Sequence, residues 1–294
     1  MITAIAEKSL HDRIVEATLL SLKQHDRYSE EILSGILDVL KRADKDVKAN
    51  LLHYAGLGAL PEGKSVNRAA LKKLQSQIRE ITSNVESESS VILKTAVKGG
   101  CKTGITSGIN NLITAKLPFY RDLIKEGIKQ TGSRIFALVD SNTIDFLANY
   151  SVQLAGDVSR ELADGINKAI MYGIVTGRSV TDVSKDIGGI VTDPETFRRT
   201  GKTVFKTAQY RMDMIVRTET LRAHNQGAIK FYNTVGVKKG EWMAVGDERM
   251  CPICGELDGK IYFLDKFPPM PAHPHCRCVC LPVISESSKL ELPK

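Results

Sequence analysis

Five of the chain's six cysteines and two of its six histidines fall between Cys251 and Cys280, in "CPICGELDGKIYFLDKFPPMPAHPHCRCVC". Thiolate sulfur and imidazole nitrogen are the donors that hold zinc, four at a time and tetrahedrally. Cys251-Pro-Ile-Cys254, followed by Gly255, has the spacing of a knuckle that offers two sulfurs from one tight turn. His273 and Cys276 repeat the two-residue gap, giving C-x2-C-x18-H-x2-C. The intervening stretch, with Gly259 and the strand-like "KIYFL", suffices for a hairpin that brings the two pairs together. His275, Cys278 and Cys280 are alternates, and Cys276, Cys278 and Cys280 would share one face of an extended strand. Spacing alone does not choose among them. Local geometry favours His273 and Cys276, with Cys278 the first substitute.

The expected role is one structural Zn2+ per chain. A catalytic zinc keeps a coordination position open beside a base, and the deaminase pattern pairs H-x-E with P-C-x-x-C. The chain has no H-x-E, and Pro252 lies inside the C-x-x-C. A redox C-x-x-C belongs at a helix start in a βαβ setting, which the pattern does not offer. A module of about fifty residues has too little core to hold itself together, so a metal staple fits. The opening segment carries charges at Glu7, Lys8, Asp12, Arg13 and Glu16, and no window is apolar for the roughly 18 residues of a span. The expectation is a chain kept in the cytosol, with reduced thiols and no membrane partner.

The elements that must carry these residues read as mostly helical. Of 294 residues 42% are hydrophobic and 26% charged, ordinary for a globular protein with a sizeable core. "IVEATLLSLKQ" and "SEEILSGILDVLKRADKDVKANLLHYAG" place apolar residues three and four apart, with Ser29 as a helix start and Gly56 as a stop. "GLGALPEGKSVN" reads as a linker. Asn67 opens a long helix whose stripe runs Leu71, Leu74, Ile78, Ile81, Val85 towards a break at Gly99–Gly100. "GGCKTGITSGINN" lacks the Gly-Lys-Ser/Thr of a phosphate loop and reads as a flexible joint. "GIVTGRSVTDVSKDI" is a two-helix corner, with Gly177 as C-cap and Ser179 or Thr181 as the next N-cap.

The last helix before the cysteines is the informative one. At about 100° per residue, Leu221, His224, Ala228 and Phe231 fall within about 40° of Arg217, while Glu219 points nearly the other way. A histidine and an arginine on an apolar face need partners. Hydrogen bonds from Arg217 and His224 to a packed C-terminal module would supply them. After Gly236, short β-branched and aromatic runs between Gly/Asp turns predict strands and hairpins. The fold class is therefore mainly α: a long helical body followed by a small β-containing, zinc-stabilised C-terminal module, α+β overall. The expected division is an N-terminal helical region over 1–149, a second helical part over 150–234, the module over 235–283 and a flexible tail over 284–294.

Charge is uneven. Residues 94–134 carry eight Lys/Arg against Asp122 and Glu126, an excess of six. Lys94, Lys98, Lys102 and Lys116 from this stretch, with Arg198, Arg199 and Lys202 from a second, are the candidate contacts with DNA or another acidic partner. Neither stretch has a base-reading motif, so sequence-specific reading is not expected.

"GIVTGRSVTDVSKDI", "VRTETLRAHNQGAIKFY", "WMAVGDERMCPICGELDGK" and "HPHCRC", in this order, resemble the phage head morphogenesis family, the minor head proteins similar to the F protein of phage Mu. The resemblance implies a non-enzymatic minor component of the virion or procapsid, assembled in the host cytoplasm. It implies association with the portal protein at the portal vertex, and a contribution to head assembly and to DNA packaging or ejection. Major capsid or scaffolding protein and non-specific double-stranded DNA are the further partners. The family pattern falls on Arg217, Thr218, Glu219, Asn225, Trp242, Cys251, Cys254, Gly259, His273, Cys276 and Cys278. His275 stands where the pattern has asparagine, and Cys280 is additional. The competing reading is a zinc-module DNA-binding regulatory protein, which needs a recognition helix beside the metal. An ADP-ribosyltransferase reading of "RTET" fails, because Arg217 and Glu219 lie about 200° apart on one helix.

Overall fold

The computed structural model describes residues 8–60, 66–116, 120–139, 141–191, 207–245, 250–285 and 288–292. Among them are helices α1 (Leu10–Gly56), α2 (Arg68–Thr114), α3 (Tyr120–Glu126), α4 (Ile128–Ala137), α5 (Ser141–Thr176), α6 (Val180–Val191), α7 (Ala208–Thr234) and the short α8 (Pro252–Leu257). Strands β1 (Lys239–Met243), β2 (Ile261–Phe263) and β3 (Val279–Val283) form one antiparallel sheet in the order β2-β1-β3. The protein is thus mainly α with a small β module, the class its residue pattern predicts.

Several ends follow local chemistry. The Asn67 side-chain oxygen accepts the N–H groups of Ala69 and Ala70 at 3.1 and 3.2 Å, capping α2. Gly177 takes φ 63° after α5 while the Arg178 N–H reaches back to the Gly173 carbonyl at 2.9 Å, and Ser179 rather than Thr181 caps α6 by accepting the Asp182 N–H.

Two expected breaks are not breaks. Helix α1 starts far upstream, where Ser9 accepts the Asp12 N–H at 3.1 Å. Ser29 lies buried in mid-helix, donating to the His25 carbonyl at 3.1 Å and pairing with Thr220 Oγ1 at 3.0 Å. Likewise α2 runs straight through Gly99–Gly100. A Cβ on Gly104 would stand 1.8 Å from the His224 carbonyl oxygen, one on Gly100 2.7 Å from that of Thr220, and one on Gly227 2.1 Å from that of Cys101. The glycines serve close approach of two helix backbones, not flexibility.

The chain forms two compact units, neither continuous in sequence. Unit 1 comprises Met1–Glu30, Thr95–Ala148 and Arg217–Lys294, and unit 2 Glu31–Lys94 and Asn149–Val216. Helices α1, α2, α5 and α7 each contribute one length to each unit, so the division does not follow sequence order. The core of unit 2 is aliphatic, around Ile36, Leu40, Leu74, Ile78, Ile166 and Ile187. Unit 1 builds its core from Ile105, Ile109, Phe231, Tyr232, Trp242 and the cysteines of the module. Of the tail, expected to be flexible, the described residues 290–292 pack in unit 1. The Glu291 N–H donates to the Val235 carbonyl at 3.2 Å, and Leu290 and Leu292 pack against the core, because they offer apolar surface to cover it.

Candidate metal centre

The knuckle forms as its residue types require. Pro252 occupies the first turn of α8, where a missing N–H costs nothing, and Cys251 is the N-cap. Its sulfur accepts the Cys254 N–H at 3.3 Å. Gly259 closes the next turn at φ 72°, a conformation that favours glycine, and its N–H donates to the Trp242 carbonyl at 2.8 Å. Trp242 on β1 is fully buried and stacks on Phe267 at 6.1 Å between ring centroids. The second set of donors arrives on the segment entering β3, where the Cys276 N–H closes a turn onto the His273 carbonyl at 3.2 Å.

These elements bring five donors together. His273 Nε2 lies 3.0 Å from Cys251 Sγ and 3.1 Å from Cys254 Sγ, and Cys254 Sγ lies 3.7 Å from Cys276 Sγ. Two groups, Cys251–Cys254–His273 and Cys254–Cys276–Cys278, have ligand atoms within 4.8 Å of one another and share Cys254. Zinc–sulfur bonds of about 2.3 Å place two sulfurs about 3.8 Å apart in a tetrahedron. The Cys254–Cys276 separation fits that edge, and the cluster can hold a metal ion.

The electrostatics divide the four thiols, two lowered and two raised. The Cys254 N–H holds the Cys251 thiol below its ordinary range. A hydrogen bond from Cys278 and further backbone donors bring Cys276 down to about 5. Its partner Cys278 is pushed up, chiefly by that shared hydrogen bond, although the Trp242 indole N–H acts the other way. Burial raises Cys254 to about 12. His273 is raised by the Pro274 carbonyl, which its Nδ1 faces at 2.8 Å. A bound cation replaces these shared protons by coordinating the thiolates directly.

The remaining predicted residues are placed as follows. Cys280 is buried but belongs to neither donor group, and its sulfur faces the Leu281 carbonyl at 3.7 Å. His275, half-buried at φ 60°, also stands outside both groups. His224 is buried but does not reach the C-terminal module: its Nδ1 pairs with Thr103 on α2 at 3.1 Å. Glu219, read as pointing away from the packed face, is 3% exposed and paired with Arg222 at 3.0 Å. From Arg217 onward α7 is packed on nearly all sides, so a single-face reading does not apply. Arg217 itself is half-buried. Thr218 and Asn225 reach the module through hydrogen bonds, to the His275 N–H and the Cys278 carbonyl.

Lys94, Lys98, Lys102 and Lys116 are exposed, the first three at four-residue steps along α2, with the Lys102 ammonium 4.9 Å from the centre of the Phe136 ring. Arg198, Arg199 and Lys202 lie outside the described residues. Sequence reasoning missed His25, whose ring lies 4.7 Å from that of His224 and whose Nδ1 faces Thr103 Oγ1 at 3.4 Å. No sequence signal marks it, since its partners come from α2 and α7. Among the described residues no helix is long and apolar enough to cross a membrane.

Residues 164–281, which include all five donors, match the family described as Phage Mu protein F like protein. An uncharacterized protein of Haemophilus influenzae is 26% identical over 151 residues. That stretch covers 50% of this chain and 31% of the relative, so the match spans about a third of the relative's length. No solved structure matches.

Proposed function

We propose, from the match of residues 164–281 to the phage Mu F-like family, that the chain is a minor head protein of a tailed phage or prophage. In this reading it is a structural, non-catalytic component of the virion or procapsid, seated with the portal protein at the portal vertex. It contributes there to head assembly and to DNA packaging or ejection. The observation that carries the proposal is the family match, which takes in the whole of α7 and the donor cluster.

Zinc is the metal the donor set suits, because sulfur-rich tetrahedral sites select it. Cys251, Cys254, His273 and Cys276 would hold it, with Cys278 as the substitute. Its contribution is structural: it ties α8 to the segment entering β3, which a three-stranded sheet cannot do by itself. Lys98, Lys102 and Lys116 are the proposed phosphate contacts with packaged DNA, an affinity that falls steeply with salt.

The test is quantitative mass spectrometry of purified particles and procapsids, counting copies against the portal. A few copies per particle is the expected result. Presence in procapsids alone makes the protein an assembly factor that leaves. Absence from both overturns the proposal and moves the zinc-module regulator to the front.

A further inference from the structure

The segment that brings His273, Cys276 and Cys278 to the cluster is irregular, lying outside helix and strand. His275, in its middle, takes φ 60°. For a residue with a side chain that conformation costs about 1–2 kcal/mol and persists only where neighbours hold it. Two side chains of α7 do so. The His275 N–H donates to Thr218 Oγ1 at 3.2 Å, and the Asn225 side-chain N–H donates to the Cys278 carbonyl at 3.0 Å. Thr218 and Asn225 are 6% and 0% exposed, so these bonds do not compete with water. Seven residues apart, they share one face of α7 within about 20°. One rigid helix therefore grips the donor segment at two points, either side of Cys276.

We infer that Thr218 and Asn225 are positioning residues for the metal centre: they hold the His273–Cys278 backbone in its ligating path, so that the ion does not have to order it alone. The inference rests on the metal reading above. It also gives "RTETLRAHN" a physical role that its apolar stripe does not explain. Bonds of this kind, made in the loaded state, raise affinity by offsetting part of the ordering cost of binding. Outer partners of metal ligands contribute about 10- to 100-fold in affinity.

The test uses the full chain loaded with zinc, titrated against a chelator, and its cobalt(II) form for the visible spectrum. Thr218→Val keeps the shape and loses the acceptor, and Asn225→Leu loses the donor. Each should bind zinc about 10- to 100-fold more weakly and shift the cobalt bands, while Thr218→Ser, which keeps the hydroxyl, should restore both. Wild-type affinity and an unchanged spectrum in Thr218→Val and Asn225→Leu would overturn the inference and leave the metal reading standing. A wild-type chain that retains no zinc would overturn the metal reading itself. If Asn225→Leu fails to fold, the Thr218→Val and Thr218→Ser pair decides the matter alone.

Discussion

Unit 2 and unit 1 share four helices but not a chemistry of burial. Where α7 lies in unit 2 it buries Met212, Ile215 and Val216; where it lies in unit 1 it buries Thr218, Glu219, Thr220, His224 and Asn225 beside apolar Leu221, Ala228 and Phe231. Helix α1 changes likewise: it buries Ile36, Leu40, Val47 and Leu51 in unit 2, and in unit 1 Thr18, Ser21, His25 and Ser29 beside Ile14 and Leu22. Apolar burial is non-directional and tolerates small shifts of one helix along another. A buried hydrogen bond fixes position to a few tenths of an ångström, and leaving it unmade costs about 1–3 kcal/mol. The unit that presents the donor segment is the one built with directional contacts. Position, rather than stability alone, is what those contacts add.

The largest expected effect separates the units outright. Cys251→Ser, or removal of metal by a chelator, should unfold the module. Structural zinc binds zinc-finger peptides with roughly 10–16 kcal/mol of apparent free energy, as much as a whole domain's stability. Trp242, the chain's one tryptophan, is fully buried in the module, so its emission should shift to the red. Amide protection should be lost over β1, β2 and β3 and kept at Leu40, Leu74 and Ile78 of unit 2. Equal loss in both units would break the comparison.

Next comes backbone contact. Gly104→Ala would place a methyl group 1.8 Å from the His224 carbonyl oxygen, and two helices must separate to admit it. We expect about 3 kcal/mol of destabilisation, read from denaturant unfolding followed at Trp242. Gly56→Ala, with open space around the added carbon, should lie within about 1 kcal/mol of wild type.

Gly104 and Ser29 also mark where sequence reasoning stops. Period and composition identify the helices, the short strands and the knuckle, because each is encoded by residues close together in the chain. The Cys251–Cys254 and His273–Cys276 spacings lead to one cluster for the same reason. A glycine and a serine in a helical stretch read as breaks because their local preferences oppose a helix. What keeps α1 and α2 continuous at those points is a partner more than a hundred residues away, Thr220 or His224. Glu219 was misplaced by the same limit: a helical wheel assumes one buried face, and this length of α7 has neighbours nearly all round.

A smaller effect concerns acid. Burial lowers His25 to about 4, and burial together with the nearby His25 lowers His224. Both folded values lie below the unfolded one of about 6.5, so the unfolded chain binds more protons as pH falls. The stability the neutral rings contribute is complete above pH 6.5 and is lost as pH drops towards 4. For His25 alone that is about 3 kcal/mol. Hydrogen exchange of the α1 amides over residues 10–30 should therefore quicken from pH 6.5 to 4.5, after correction for intrinsic rates. Among the described residues unit 2 buries no histidine, so its helices serve as the reference and should show no such step. His25→Asn, by removing the titrating ring, should flatten the response in unit 1.

The last comparison takes one ion pair from each unit. Arg222 and Glu219 pair with side-chain exposures of 27% and 3%, whereas Arg42 and Glu88 pair at 58% and 50%. Burial already raises the Glu219 carboxyl, and Arg222 opposes that rise. Arg222→Met strands a buried acid and should destabilise by about 3 kcal/mol, since removing one partner of a buried pair leaves an uncompensated charge. Arg42→Met leaves Glu88 in water, so the loss should be under about 1 kcal/mol. Unfolding midpoints at low and high salt distinguish the cases. The Arg42 variant should differ from wild type only at low salt, where exposed charges are unscreened. The Arg222 deficit should persist at high salt, because ions do not reach Glu219. If both deficits vanished with salt, Glu219 would be solvated, and the contrast between a directional and a non-directional core would fail at that residue.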